Sequence, residues 1–154
     1  MSENGVKFSA KDLYSLMGSI YKEFYKEFGE KAIPVIERIC TGMGTSGGKE
    51  LKAERNLPSM DVKSAAVYLG NYFRDEVGLV EDPKEVEVKS PKEVHWIVTD
   101  CSPGYKPGDH KVCIATMKGD EAMINALCDG KAKLTVKKAI AFGDEACVVV
   151  ITEN

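Results

Sequence analysis

Five cysteines and two histidines carry most of the reactive chemistry open to this chain, and their spacing narrows what that chemistry is. Cys113 follows His110 by three residues, so on a helix the two share a face. A thiol near a helix start and one turn from an imidazole is the best local setting here for a thiolate nucleophile. In a hydrolase reading, a thiolate among Cys101, Cys113 and Cys147 attacks or orients a substrate carbon, while His95 or His110 and Asp144 move protons. The same residues also read as a metal site. Cys101, His110, Cys113 and Cys147 offer soft thiolates and an imidazole suited to zinc or iron, although short paired spacings such as C-x-x-C are missing. A third reading is a ligand or redox sensor that holds an apolar small molecule in a pocket between helices and sheet.

Each of these residues has a plainer role beside the chemical one. Free cysteine is among the most buried residue types, and Cys40 and Cys128, at expected helix ends, are read as packing. His95 beside Trp96 reads equally as a satisfied strand histidine, and Gly143-Asp144 as turn chemistry. Lys131, Lys133, Lys137 and Lys138 read as a solvated edge able to attract a carboxylate.

The elements that must position these groups follow from periodicity. Residues 133–152 form a hairpin: Leu134, Val136, Ile140 and Phe142 alternate with polar or small residues, and beyond the Gly143-Asp144-Glu145 turn the chain is apolar on both faces, as in a strand covered on both sides. Val94, Trp96 and Val98 mark a second strong strand, whose alternation places His95 and Cys101 on one side. Val86 and Val88, among charges and between Pro83 and Pro91, mark an edge strand. The first half reads as helical. Ser9 and Asp12 form a capping box ahead of a stripe of Leu13, Leu16, Met17, Ile20, Phe24 and Phe28, and Gly29 ends it. A second helix begins near Pro34 with Ile33, Ile36, Ile39 and Cys40 on its apolar face. A third, capped by Asp61, carries Val62, Ala65, Ala66, Leu69, Tyr72, Phe73 and Val77 up to Gly78. Between the strands, Asp109 is the expected cap of a helix with Val112, Cys113 and Met117, which steps at Gly119 into a segment with Met123, Ile124 and Leu127.

Residues 41–49, TGMGTSGGK, match G-x-G-x-x-G, but the match stands behind a helix rather than a strand, and the P-loop spacing fails at Met43. The expectation is a flexible helix-helix connection. The order is α+β: a helical N-terminal half, residues 9–78, packed on a C-terminal antiparallel sheet, residues 84–153, closed by a hairpin, in one domain spanning 1–154.

Composition bounds the function. The chain has 154 residues, 44% of them hydrophobic, which suffices for a real core. A net charge of −3 and a pI near 5.5, with both signs interspersed, give no basic field for nucleic acid. Without an apolar leader or a run approaching the roughly 20 apolar residues of a membrane span, the reading is a soluble cytoplasmic protein whose thiols stay reduced.

Several motifs carry a family resemblance. Trp96, Cys101 and Pro103 at the end of a strand, Cys113 opening a helix, and the ending Gly143-Asp144-x-x-Cys147-x-x-x-Ile151 resemble the L-2-amino-thiazoline-4-carboxylic acid hydrolase-like family, with a looser match at Gly29-Glu-Lys-Ala32. The same layout is similar to the 4-vinyl-reductase-type ligand-binding domains. Ser102 separates Cys101 from Pro103, where the family has proline directly after the cysteine. The resemblance implies a small α+β domain, often a homodimer, with a small-molecule pocket toward which Cys101, Cys113 and Cys147 point. It also implies an activity that opens a cyclic thiazoline or amidine by adding water; no cofactor is needed for that reaction.

Overall fold

The computed structural model describes residues 5–78 and 85–154; the expected punctuation at Pro83 and the start of its charged segment lie outside them. Helix α1 (Ala10–Phe28) begins as expected, with Ser9 Oγ accepting from Asp12 N at 3.0 Å and the Asp12 carboxylate accepting from Ser9 N at 2.9 Å. It ends at Gly29, whose φ of 62° is open to glycine at little cost. A single 3-10 turn (Gly29–Lys31) leads into α2 (Ala32–Glu54). Helix α3 (Val62–Tyr72) is capped by Asp61, whose carboxylate accepts from Ser64 N at 2.7 Å, and it runs on through a π turn (Phe73–Val77) to Gly78. Strands β1 (Glu85–Ser90) and β2 (Glu93–Val98) follow, then α4 (His110–Thr116), α5 (Lys118–Leu127), β3 (Ala132–Lys138) and β4 (Cys147–Glu153). The fold is α+β, and no described helix is long and apolar enough to cross a membrane.

The four strands form one antiparallel sheet in the order β1-β2-β4-β3. The terminal hairpin is present, but the sheet is open, with β1 and β3 at its edges. Register assigns each side chain a face. Val94 pairs with Ile151 and Trp96 with Val149, while Leu134 and Val136 oppose the same two β4 residues, so these side chains share one face with Cys147. The helices cover that face. Val62, Ala66, Leu69 and Phe73 of the α3 segment meet Trp96, Val94, Val149 and Ile151 in the main core. Trp96 Nε1 donates to the Ala66 carbonyl at 3.0 Å, which satisfies the one polar atom of the largest buried side chain. The edge strand β3 is blunted by α5. Asn125 brackets Ala132, accepting from its N–H at 2.8 Å and donating to its carbonyl at 3.2 Å, while Glu121 accepts from Leu134 N at 2.8 Å.

Four expectations need correction. The glycine-rich stretch 41–49 is helix, continuous within α2, because its glycines are contact surface. A Cβ on Gly44 would stand 2.0 Å from the Gly119 carbonyl oxygen, and one on Gly48 would stand 2.7 Å from Ala126 Cβ, so α2 and α5 cross with their backbones nearly touching. The Leu and Ile stripe of α1 does not form its buried side. Leu13, Leu16, Ile20 and Phe28 are exposed, Leu16 and Ile20 by 55% and 56%. The helix packs instead through Tyr14, Met17, Gly18 and Tyr21, since Gly18 lets it close on Pro103, whose carbonyl would lie 2.2 Å from an added Cβ. Among the described residues, strand β4 is covered by the cores on one face only; Val148 and Val150, half-buried, belong to neither. Finally, β3 stops at Lys138 after a register shift, and Ile140–Phe142 turn as 3-10 rather than extending the strand.

The glycines of α2 therefore separate by substitution. Gly44→Ala or Gly48→Ala should force α2 and α5 apart and destabilise the protein by about 2–3 kcal/mol. Gly42, in the same helix with nothing within 4 Å of an added Cβ, should give a stabilising Gly42→Ala of roughly 0.5–1 kcal/mol. Urea unfolding of the three variants checks both signs.

Candidate functional site

Beside the main core lies a second one, rich in sulfur and tyrosine, gathered where α1, α2, α4 and the end of the sheet meet. It contains Tyr21 from α1, Cys40 from α2, Cys113 from α4 and Tyr105 from the loop after β2, with Cys101 and Cys147 packed against it. Cys101, Cys113 and Cys147 are close enough for the charge of one to affect another. Among the described residues, no three His, Cys, Asp or Glu side chains are arranged to hold a metal ion.

Loop 99–109 forms the wall of this region on the α1 side. It folds into two turns, closed by Gly104 N donating to the Cys101 carbonyl and Asp109 N to the Lys106 carbonyl, each at 2.9 Å. Its C-terminal end is tied to the hairpin by Gly108 N donating to the Ala141 carbonyl at 3.2 Å. Helix α1 holds it at both ends: Lys11 pairs with Asp100 at 3.0 Å, and Lys22 donates to the Gly104 carbonyl at 3.3 Å while facing Asp109 at 4.0 Å. The two half-buried thiols act as acceptors here, Cys101 Sγ for Tyr105 N at 3.3 Å and Cys147 Sγ for Ile140 N at 3.4 Å.

Tyr105 is the least satisfied group in the region. The residue is only 3% exposed, and its hydroxyl has no hydrogen-bond partner. The Thr116 hydroxyl is the polar group that eases the burial of the phenol; it donates to the Cys113 carbonyl at 2.9 Å and keeps acceptor lone pairs on its oxygen. A buried hydroxyl short of a hydrogen bond costs roughly 1–3 kcal/mol, so a polar atom brought to it, whether of an ordered water or of a ligand, gains that bond.

The expected site residues divide between this region and elsewhere. Cys101, Cys113 and Cys147 lie in the second core or against it. His95 does not join them: β2 ends at Val98, so its alternation never reaches Cys101, and His95 sits on the open face of the sheet, opposite to Cys147, bonded to Glu93 at 2.6 Å. His110 is exposed at the start of α4, its ring edge-on to Phe142, whereas Cys113 one turn later is buried. Asp144 holds the hairpin, its carboxylate accepting from Ala139 N at 3.0 Å. Asp109 does not cap α4; its carboxylate accepts instead from Lys106 N at 2.9 Å. The sequence alone does not single out Tyr21, Tyr105 or Lys22, and it gives Cys40 only a packing role. An aromatic at the centre of a Pro- and Gly-rich loop, as in Pro103-Gly-Tyr105-Lys-Pro107, was the available signal for Tyr105, because such a residue has to be anchored in something.

No protein-family model matches the chain, and no curated protein matches it by sequence. Solved structures do resemble it in fold. A trafficking protein particle complex subunit 3 from Naegleria fowleri, covalently bound to palmitic acid, superposes with a TM-score of 0.65 at 13% identity, over 94% of this chain and 95% of that one. The phenol-responsive sensory domain of the transcription activator PoxR, with phenol, gives 0.61 at 16% identity over 91% and 74%. An H-NOX protein from S. oneidensis in the Fe(II)NO ligation state gives 0.58 at 10% identity over 99% and 82%. At these identities the likeness is one of fold.

Burial sets the protonation of the thiols. It is the largest cause raising all five cysteines above their ordinary value of 9.0, and Cys113, 8% exposed, is pushed up to about 12. An acid whose folded-state pKa is raised stabilises the fold in full below its unfolded value, and that contribution is lost as pH rises through the folded one. Stability should therefore fall between about pH 9 and pH 12, and Cys113→Ala, although less stable at neutral pH, should show a shallower decline. Thermal unfolding across that range tests the sign. Iodoacetamide at pH 8 should label the native thiols far more slowly than those of urea-unfolded protein, as read by intact mass.

Proposed function

We propose that this chain is a small-molecule binding domain of the sensory kind, taking a compact apolar ligand with one polar group into the second core. The observation that carries the reading is the buried Tyr105 hydroxyl, which makes no hydrogen bond of full geometry, in a region lined mainly by thiols, aliphatic side chains and the Tyr21 ring, whose own hydroxyl is paired with Cys40. A ligand hydroxyl or carbonyl there would gain a hydrogen bond in a low dielectric, while its apolar body would replace contacts among soft side chains that repack readily. Loop 99–109, held to α1 through Lys11, Lys22 and the close contact of Gly18 with Pro103, is the segment whose displacement would admit the ligand. That solved structures of the same fold hold phenol, palmitic acid or an NO-ligated iron supports a binding role.

The geometry supports binding better than hydrolysis. A cysteine nucleophile needs a positive neighbour or helix terminus to lower its pKa, whereas burial raises every thiol here and His110 is turned outward against Phe142. His95 and Asp144 are engaged elsewhere, with Glu93 and the Ala139 backbone.

Phenol and para-alkylphenols are suitable first probes. Calorimetry and thermal unfolding should show saturable binding and ligand-dependent stabilisation with no consumption of the ligand. Tyr105→Phe should raise the stability of the ligand-free protein by about 1 kcal/mol and weaken phenol binding by roughly tenfold. Catalysed opening of an aminothiazoline carboxylate, abolished by Cys113→Ala, would overturn the reading in favour of the hydrolase.

A further inference from the structure

The face of the sheet turned away from the helices has a charge layout of its own. Register places Glu85 and Glu87 of β1, Glu93, His95 and Ile97 of β2, Val148, Val150 and Thr152 of β4, and Lys133, Thr135 and Lys138 of β3 on this side. Ile97, Val148 and Val150 are part of neither core, so one end of the middle two strands carries a short apolar strip, continued by His95, Glu93 and Thr152, that no described element packs on. Across the strands the face runs from acid at the β1 edge, through this strip, to base at the β3 edge. Lys89 pairs with Glu87 along β1 and Glu93 bonds His95, which leaves the acidic side a net negative charge against the lysines of β3.

We infer that this face docks a second copy of the same chain, sheet against sheet, about a two-fold axis parallel to the strands. Such an axis reverses the order of strands across the interface, so β1 of one copy lies over β3 of the other and the acidic edge meets the basic edge twice. It also stacks β2 on β4, so that Ile97 of each copy lies over Val148 of the other and Val150 over the His95 ring, in the aligned packing that twisted sheets adopt. A two-fold axis across the strands would instead set acid over acid and base over base, so the charges select one symmetry. Four strands about 4.8 Å apart and about six residues long give a flat footprint near 400 Å² per partner. That is about half of what stable interfaces cover, so the dimer forms and dissociates with concentration.

Sedimentation velocity on the full chain over a range of concentrations tests the assignment. The expected result is a monomer–dimer equilibrium lost in Val150→Asp. Lys133→Glu/Lys138→Glu and Glu85→Lys/Glu87→Lys, each confirmed as folded by circular dichroism, should weaken self-association by about tenfold or more. Mixing these two charge-reversed variants in equal amounts should restore dimers, because each is complementary only to the other. A chain monomeric at every concentration would overturn the inference. So would a dimer that survives Val150→Asp but not Leu16→Asp on the exposed side of α1, or a mixture that associates no better than its components.

Discussion

Two helices can close until their backbones nearly touch only where the residues at the crossing are glycine or at most alanine, and the arrangement of this molecule rests on one such crossing. Gly44 and Gly48 of α2 meet Gly119 and Ala126 around α5 at distances that leave no room for a Cβ. Cys40 stands one turn before Gly44, with its backbone against Gly119, so the close approach that fixes α5 also fixes the floor of the second core. Helix α4 leads directly into α5, and the seam therefore sets where Cys113 lies relative to Cys40 and Tyr21. From α5, Glu121 and Asn125 reach the edge of β3 and hold the hairpin that carries Cys147.

What the sequence disclosed and what it hid divide along local and tertiary lines. Ser9 with Asp12, Asp61, Gly29 and Gly78 act through groups within a few residues of themselves, and each does what its type and position announce. Residues 41–49 conceal their role because glycine costs a helix up to about 1 kcal/mol relative to alanine wherever the cost is not offset. Here the offset comes from a partner about seventy-five residues away in sequence (Gly44 to Gly119), which no local window contains. The same argument covers α1. Periodicity correctly finds its Leu and Ile stripe, but periodicity does not know that Gly18 against Pro103 allows a closer contact than any leucine could make.

The candidate site was half legible. Thiols at 101, 113 and 147 could be grouped by their motifs, and they do share one region. Their chemistry could not be judged from spacing, since the state of a thiol depends on how much water and charge surround it, and burial here holds all three protonated. His95 was misjudged through one assumption, that the strand alternation continues to residue 101. The strand ends at Val98, and three residues of loop suffice to put Cys101 on the other side of the sheet from His95. Tyr105 escaped notice because an unsatisfied hydroxyl is a property of its surroundings.

Strand β4 joins the two proposed surfaces. Cys147, Val149 and Ile151 point into the cores, while Val148 and Val150 point from the same strand onto the open face. Neighbouring side chains on a hydrogen-bonded central strand cannot shift independently, because a displacement of one face carries the other through shared backbone and register. A ligand that moves Cys147 relative to Tyr105 would therefore change the spacing of the apolar strip that a second copy meets. Linkage then runs both ways: if the ligand favours or disfavours pairing, pairing alters ligand affinity by the same factor. The size of that coupling is set by how far β4 yields, and β4 is flanked on both sides by strands paired to it along most of its length. Such a strand moves as a body or hardly at all, and a rigid central strand transmits a small displacement without absorbing it.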